Sequence, residues 1–325
     1  MPTYLEFERP IEELETQLQH MLQQKERGEN IPDEEIEKIK KEIIKKRKEI
    51  YENLTPWERV LLSRHPDRPQ ALYYLNTMCD DWLELHGDRM GHDDPAIVGG
   101  FGLLGKKTVM FIGQQKGTNT KERQYRNFGM ANPEGYRKAL RLMKLAEKYG
   151  KPVVTLVDTP GAFPGMEAEE RGQAEAIARN LFEMARLRVP ILVIIIGEGA
   201  SGGALGIGVG DRILMMENTW FSVISPESCS SILWRDWDHK KEAAEALKLT
   251  PQYLYNYKII DDIIKEPVGG AHVDPEKAAK ILRREILKHL KELEEIPIDK
   301  LLAKRLEKYR RIGVYKEGDK VISSF

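Results

Sequence analysis

The stretch from Ile191 to Asp211, ILVIIIGEGASGGALGIGVGD, constrains the fold of this 325-residue chain more than any other part of it. Its first six residues are apolar, and seven glycines follow between Gly197 and Gly210. The apolar run predicts a strand buried on both faces, and the glycines predict a turn into a short helix. Backbone N–H groups at the start of a helix attract negative charge because they lack acceptors within the helix. We therefore expect a site for an anion or an oxyanion at the end of this strand.

Three classes of enzyme use a glycine-rich stretch of this kind. Residues 197–202 match the G-x-G-x-x-G pattern of dinucleotide-binding folds. Residues 199–203 match the G-x-S-x-G pattern, in which Ser201 would be the nucleophile of a serine hydrolase. Residues 202–204, Gly-Gly-Ala, would instead form an oxyanion hole from backbone N–H groups, without a side-chain catalyst.

Spacing along the chain weakens the first two interpretations. About eight residues separate Gly203 from the strand predicted to begin at Arg212, whereas a dinucleotide-binding unit requires a full crossover helix. No HGGG segment precedes Ser201, and we expect its hydroxyl to cap the short helix. The hydrolase stays open as an alternative because acids and histidines follow downstream: Asp236, His239, Asp261 and His272.

Composition argues against several other classes. The net charge of −1 gives no general attraction to nucleic acid or to an anionic membrane. The two cysteines, Cys79 and Cys229, form no C-x-x-C pair and predict neither a disulfide framework nor a zinc site. No stretch approaches 18 consecutive apolar residues, and the N-terminal MPTYLEFERP lacks the apolar segment of a signal peptide. We expect a cytoplasmic enzyme that binds no metal and does not enter a membrane.

Periodicity predicts two domains. Apolar positions recur three or four residues apart in residues 10–53, on both sides of GENIPD, which predicts a helical hairpin within an N-terminal domain 1–56. Residues 57–325 alternate between strands and helices, and the continuous apolar strands favour an α/β fold with both sheet faces covered. Within this domain we predict a helix over 72–85 and a mostly helical region from Glu242 onward.

Two glycine-rich turns are predicted to follow neighbouring buried strands. VVTLVD (153–158) leads into DTPGAFPG (158–165), and ILVIII (191–196) leads into GEGASGGA (197–204). Ligands gather at the carboxyl ends of strands in an α/β sheet. Neither turn offers a general base or a set of metal ligands. The pattern favours chemistry in which charge develops on a bound oxygen that backbone donors stabilise.

Longer segments of the chain are similar to one known family. They read RNFGMANPEGYRKALRLMKLAEKYGKP, VDTPGAFPGMEAEERGQAEAIARNL, VPILVIIIGEGASGGALGIGVGD, SVISPES and EPVGGAH. On these segments the chain resembles the carboxyltransferase alpha subunit of multi-subunit bacterial acetyl-CoA carboxylase. The resemblance covers nearly the whole chain, including the leading FERPIEELE, and is much more specific than any of the short patterns.

The resemblance implies a crotonase-like fold, a spiral of ββα units, here with an N-terminal helical hairpin and a helical C-terminal region. The implied reaction transfers the carboxyl group of carboxybiotin, held on a biotin carboxyl carrier protein, to acetyl-CoA and gives malonyl-CoA for fatty acid biosynthesis. The implied partners are a beta subunit, in an alpha2beta2 assembly, and biotin carboxylase. Zinc would belong to a ribbon on the beta subunit, which agrees with the absence of C-x-x-C here.

The resemblance also implies roles for particular residues. The backbone N–H groups of Gly202, Gly203 and Ala204 would bind the ureido oxygen of carboxybiotin and stabilise the anion formed as CO₂ departs. The other implied substrate-binding residues are Gly161, Phe163, Pro164, Gly165, Gly199, Arg126 and Asn127.

Two residues depart from the pattern of this family. Ala200 and Phe163 stand where many relatives have Gly and Tyr. We therefore expect Ala200 not to need a left-handed backbone, and Phe163 supplies no hydroxyl. Besides the serine hydrolase, a non-catalytic assembly subunit is the alternative function.

Overall fold

The computed structural model describes residues 3–317 and 320–323, so the outermost ends of both predicted domains, 1–2 and 324–325, lie outside the described residues. The chain begins with a short 3₁₀ helix, Glu6–Glu8, followed by α1 (Arg9–Glu26) and α2 (Asp33–Glu52). These two helices pack together through an apolar cluster that includes Ile11, Ile39 and Ile43. The predicted helical hairpin is therefore confirmed.

Two shorter helices lead into the sheet. The first, α3 (Pro56–Ser63), begins with a capping box in which Thr55 and Glu58 exchange hydrogen bonds. The second, α4 (Ala71–Met78), ends earlier than predicted, and the strand β1 (Asp81–Glu84) follows it. The prediction of one helix over 72–85 is wrong because β1 pairs antiparallel with the next strand, and this long-range pairing overrides the local periodicity.

One mixed sheet forms the body of the molecule. In space its strands run in the order β1-β2-β3-β4-β5-β6-β8, and β7 also pairs with β5. The strands β3 to β8 pair in parallel, so their carboxyl ends lie at one edge of the sheet. The bounds of the strands are β2 Ile97–Leu104, β3 Lys107–Gln114, β4 Val153–Thr159, β5 Ile191–Ala200, β6 Arg212–Met216, β7 Trp220–Ser222 and β8 Asp262–Ile264.

Helices cover both faces of this sheet, as the continuous apolar strands predicted. The remaining helices are α5 Thr120–Tyr125, α6 Pro133–Lys148, α7 Met166–Glu170, α8 Gln173–Arg186, α9 Ser201–Leu205, α10 Pro226–Trp234, α11 Lys240–Leu247, α12 Pro251–Asn256, α13 Pro275–Glu294 and α14 Ile298–Arg310. One core cluster joins α6 and α8 to the sheet, and a second joins α4 and α13 to its other face. Every residue of β4 and β5 is buried between them. The α/β architecture is confirmed.

The C-terminal region is mostly helical, with strands that the sequence did not predict. β8 joins the main sheet beside β6, and β9 (Val314–Glu317) pairs antiparallel with β10 (Lys320–Ser323). Arg305 fixes α14 to the body: its guanidinium donates to Asp211 at 2.7 and 2.8 Å, to one carbonyl oxygen in the last turn of α8 and to two in the α8–β5 connection. No helix in the described ranges is long and apolar enough to cross a membrane.

Candidate functional site

The two glycine-rich turns lie side by side at the carboxyl edge of the sheet. β4 and β5 pair in parallel from Val153 opposite Ile191 to Val157 opposite Ile195. Beyond this point the register shifts, and Thr159 lies opposite Gly199. The segment that follows Thr159 is thereby placed beside the end of β5. The sequence prediction that the two turns are neighbours is confirmed.

The strand β5 continues through Gly197 and Gly199 to Ala200, so the turn predicted to begin at Gly197 begins only at Ser201. Close packing explains the two glycines. A Cβ atom on Gly197 would overlap the Asp158 carboxylate, and one on Gly199 would lie 2.8 Å from the Cδ2 atom of Phe221 in β7. Gly199 therefore supports the pairing of β5 with β7.

Ser201 does not cap the short helix, so this prediction is wrong. Ala200 is the N-cap of α9 and makes no side-chain cap, and Ser201 is the first helical residue, with φ of +57°. The φ of Ala200 is −107°, which any residue adopts, and this agrees with the expectation for a methyl group there. The Ser201 side chain is exposed at the sharp turn from strand to helix.

The first turn of α9 contains Gly202, Gly203 and Ala204, and the N–H groups of Gly202 and Gly203 have no acceptor within the helix because they precede its first hydrogen bond. The Ala204 N–H is the first that faces a helical acceptor, the carbonyl of the N-cap residue Ala200. Gly203 lies against the other turn: a Cβ atom there would overlap the Gly161 backbone. The side-chain amide of Gln114 donates to the Gly203 carbonyl at 2.8 Å and fixes its direction. Backbone from both turns thus meets at one point.

The segment after Gly161 is held by backbone hydrogen bonds. The Phe163 N–H donates to the Ala131 carbonyl at 3.0 Å, and its carbonyl accepts from the Gln173 side-chain amide at 2.9 Å. The Phe163 ring lies over Gly165, where a Cβ atom would be 2.5 Å from Cε1 of the ring. Phe163 is half-buried and Pro164 is exposed. This segment therefore presents a half-buried ring and an exposed proline beside the two turns.

The loop predicted to flank the substrates is strained. Asn127 and Phe128 both have positive φ, +47° and +56°, an arrangement that costs energy for residues with a Cβ atom. The Arg126 guanidinium donates to the Pro95 carbonyl at 2.7 Å. Phe128, rather than Arg126 or Asn127, lines the cavity at the ends of β4 and β5.

That cavity has a volume of about 270 Å³, and its wall contains buried charges that the sequence analysis missed. The Lys116 ammonium lies 2.6 Å from Oδ1 of Asp158 and 2.5 Å from Oε2 of Glu198. Arg64 donates to the other oxygen of Glu198 at 2.5 Å and also pairs with Glu227. These residues come from distant segments. The available signal was a charged residue two positions after, or near the end of, each of three buried strands.

The pKa of each of these charged groups is shifted by its neighbours in the cluster. Burial alone would lower the pKa of Lys116, but Asp158 and Glu198 raise it above its ordinary value. Burial alone would raise the pKa of Glu198, but Lys116 and Arg64 hold it below its ordinary value. Burial outweighs Lys116 at Asp158, whose pKa is raised. The cluster is therefore a compensated ion network and offers no strong free base.

The downstream residues that a hydrolase would need are engaged elsewhere. Asp236 accepts from the Asp238 N–H, and Asp261 accepts from the Ile213 N–H. His239 stacks on Trp234, and His272 stacks on His65. Within the described part of the chain, no hydrogen bond joins any of these four candidates to Ser201. Ser201 has the exposed, positive-φ position of a nucleophile at a strand-to-helix turn, but none of the four candidates reaches it, so the structure does not favour a serine hydrolase.

One group of side chains has the composition of a metal site, although the sequence predicted none. Ligand atoms of Glu8, His65 and His272 lie within 4.8 Å of one another. The His65 ring, however, contacts the Thr3 carbonyl at 2.9 Å and the Asp67 N–H at 3.2 Å through its two nitrogens. The two imidazoles also stack at 3.9 Å, so their in-plane lone pairs do not converge. The arrangement favours a hydrogen-bonded cluster over a metal centre.

Solved structures with the same fold include carboxylases and related enzymes. The chain matches the transcarboxylase 12S core with a TM-score of 0.55 at 18% identity, over 78% of this chain but only 44% of that one. It matches a Pseudomonas malonate decarboxylase hetero-tetramer, solved with coenzyme A, with a TM-score of 0.57 at 16% identity, over 72% of this chain and 91% of that one. Because these neighbours have the crotonase fold, the expected crotonase-like fold is confirmed.

Relatives found by sequence comparison are much more similar to this chain than these solved structures are. The acetyl-coenzyme A carboxylase carboxyl transferase subunit alpha of Flavobacterium johnsoniae is 59% identical over 315 residues, covering 97% of this chain and 99% of that protein. The protein of the same name from Chlorobium luteolum is 58% identical over 327 residues, covering 96% and 98%. The model of the acetyl co-enzyme A carboxylase carboxyltransferase-like family matches residues 4–313, and the chain belongs to this family.

Proposed function

We propose that this chain is the alpha subunit of a carboxyltransferase that transfers a carboxyl group from carboxybiotin to acetyl-CoA. The product is malonyl-CoA, which commits carbon to fatty acid biosynthesis. The observation that carries the proposal is the meeting of the two backbone turns at Gly161 and Gly203. Membership of the carboxyltransferase family supports it independently.

The residues present fit an oxygen on which negative charge develops. The N–H groups of Gly202 and Gly203 have no acceptor within α9, and together with that of Ala204 they lie at the positive end of this helix. Carboxybiotin, presented by a carrier protein, would supply the carboxyl group and a base for the acetyl methyl group. This chain's part is to bind the ureido oxygen, and one such backbone donor is worth about 3 kcal/mol of barrier.

The side chains around the donors agree with a site in which carboxybiotin, and not the protein, supplies the base. Asp158 and Glu198 are the nearby buried carboxylates, and both are paired with Lys116 and so do not act as bases. Phe163, Pro164 and Gly165 would line the carboxybiotin side of the proposed pocket. Gly161 would contribute backbone to it, because Gly203 allows α9 to approach the Gly161 backbone closely, and Gly199 would act by holding the end of β5 against β7. Arg126 and Asn127 belong to the loop that we propose to flank the substrates.

We propose a beta subunit, bearing the zinc ribbon and the acetyl-CoA site, as the direct partner. An exposed apolar surface supports a protein partner. Val223, Ile232, Leu233 and Trp237, which we call the 223–237 surface, expose between 65% and 77% of their area. It follows directly from β7, which pairs with the glycine-rich end of β5. The proposed assembly is alpha2beta2, served by a biotin carboxyl carrier protein and biotin carboxylase.

We also keep the predicted division into a hairpin domain, 1–56, and a carboxyltransferase domain, 57–325, as a proposal. The hairpin has an apolar cluster of its own around Ile11, Ile39 and Ile43. It contacts the second domain at its base, where Tyr51 packs near Gly270. The hairpin would then contribute to assembly, whereas the glycine-rich turns carry the chemistry.

The test is an assay of the assembled complex. The chain is purified with its beta subunit, and carboxylation of free biocytin by malonyl-CoA is measured for the complex and for each subunit alone. We expect turnover only in the complex. A stable complex that carries out neither this reaction nor malonyl-CoA decarboxylation would contradict the proposal and favour the assembly subunit. Hydrolysis of an ester by the chain alone, lost in Ser201→Ala, would favour the hydrolase.

A further inference from the structure

Lys116 lies where three parallel strands end. It follows β3 by two residues, while Asp158 lies near the end of β4 and Glu198 near the end of β5. The ammonium contacts one carboxylate from each neighbour, at 2.6 Å and 2.5 Å. The Lys116 side chain is 15% exposed, and the two carboxylates are 5% and 6% exposed. One buried cation therefore joins the carboxyl ends of β3, β4 and β5.

The two carboxylates are continuous with the two proposed donor turns. Asp158 precedes Gly161 by three residues, and Glu198 precedes Gly203 by five. The Asp158 oxygen that contacts Lys116 also accepts the Glu198 N–H at 3.0 Å. A displacement of this carboxylate would therefore move the backbone of β5 as well as the turn after β4.

Lys116 also packs against the strained loop at residues 127–129. A Cβ atom on Gly129 would lie 2.8 Å from Cγ of Lys116 and 3.1 Å from the Asp158 carbonyl. Gly129 has φ of +82° and directly follows Phe128, which lines the cavity beside Lys116. The lysine stem and ammonium thus contact three segments that surround the proposed site: the loop at 127–129 and the ends of β4 and β5, which lead into the two turns.

We propose that Lys116 is a positioning residue for carboxyl transfer: by holding Asp158 and Glu198, it sets the relative placement of the turns that carry Gly161 and Gly203. It acts through these carboxylates and not on the reacting atoms, because its ammonium is held by both of them. The proposal rests on the proposed function, since positioning matters only if these turns bind the reacting oxygen.

The primary test uses the complex with the beta subunit and the variant Lys116→Met, which keeps an apolar stem. Lys144→Met is the matched control, because Lys144 is an exposed residue of α6 that pairs with Glu147 of the same helix and with Glu183 of α8. Misplacement of a catalytic group by about 1 Å costs on the order of 10²-fold in rate. We therefore expect kcat for biocytin carboxylation to fall about 100-fold. The KM for malonyl-CoA should change less than about threefold, because its site lies on the partner.

Two further variants separate positioning from general stability. Lys116→Met leaves two buried carboxylates under-compensated, so it also threatens folding. Lys116→Met/Asp158→Asn removes one of these charges and retains an oxygen that can accept the Glu198 N–H, so its thermal unfolding temperature should return toward that of the wild type. A positioning role predicts that kcat of this double variant stays low. It also predicts that Lys116→Arg, which keeps the charge and the donors, recovers part of the rate.

The opposite results would overturn the proposal. One is that Lys116→Met, in a folded complex, has a kcat within about threefold of the wild type. The other is that kcat of the double variant returns toward the wild-type value together with its thermal unfolding temperature. An inactive wild-type complex would instead contradict the proposed carboxyl transfer, so the two failures are distinguishable. Lys144→Met should behave as the wild type in every measurement.

Discussion

Gly203 and Gly161 meet so closely that a Cβ atom on Gly203 would overlap the Gly161 backbone and lie 2.5 Å from the Ala162 nitrogen. Packing of α9 on the turn after β4 therefore requires glycine at position 203. Gly161 itself has φ of +152°, a conformation that favours glycine. Both requirements fall on the segments that carry the proposed donors, so side-chain volume there is linked directly to the geometry of the site.

Gly203→Ala should separate the two turns and lower kcat of the assembled complex by about 100-fold, because the donors no longer converge on one oxygen. Gly202→Ala is the matched comparison. Its Cβ atom would lie 3.6 Å from Cδ1 of Ile177, an ordinary contact, and its N–H group is retained. Steady-state kinetics and circular dichroism of both variants check the prediction. Equal losses of kcat in the two variants would contradict it.

Ser201→Ala should leave carboxyl transfer within about threefold of the wild type, because the Ser201 hydroxyl caps no helix and is exposed. Alanine tolerates the positive φ of this residue about as well as serine does. The measurement is kcat for biocytin carboxylation in the complex. Complete loss of turnover with an unchanged unfolding temperature would show that the hydroxyl takes part in the chemistry.

Most of the architecture follows from local sequence signals. The runs 153–158 and 191–196 are continuous and apolar because helices cover both faces of the sheet, and the structure places them as adjacent strands. The segment Asp81–Glu84 was predicted as helix because its apolar residues extend the periodicity of α4. Its partner strand lies about twenty residues away in the chain, and pairing at that distance leaves no local signal.

The site was only partly predictable for the same reason. Glycine spacing predicted the two turns that carry the proposed donors but not where the strand ended, because the need for Gly197 comes from the Asp158 carboxylate on a neighbouring strand. The ion network of Lys116 joins residues that are 42 and 82 positions apart. A single sequence does not indicate which of its many charged residues meet, since charge carries no periodicity that identifies its partner.

We expect the free energy of unfolding to fall in acid because Glu266 loses its charge there. It is fully buried and accepts from Arg68 at 2.6 and 3.1 Å, from Asn218 and from the Ala271 N–H. Burial alone would raise the pKa of Glu266, but Arg68 and these donors lower it to about 2. Since the unfolded value is about 4.3, this stabilisation is complete above that pH and is lost as pH falls toward 2.

The shift in the pKa of Glu266 corresponds to roughly 3 kcal/mol in the free energy of unfolding. Urea unfolding between pH 6 and pH 3 would measure it in the wild type and in Glu266→Gln. We expect the variant to be less stable at pH 6 and the gap to narrow as pH falls. A gap that stays constant across this range would mean that Glu266 does not carry the acid sensitivity.

We expect a charge introduced on the 223–237 surface to weaken binding of the proposed beta subunit more than a charge introduced elsewhere on the chain. Ile232 is 69% exposed there, and Ile232→Asp would place a carboxylate that must lose water when a partner covers it. We expect the Kd for the beta subunit to rise at least about tenfold, with no change in the unfolding temperature of the isolated chain, because the residue is exposed. Ile44→Asp is the matched control, since Ile44 is 61% exposed on α2. Isothermal titration of both variants measures the difference, and equal affinities would place the subunit contact elsewhere.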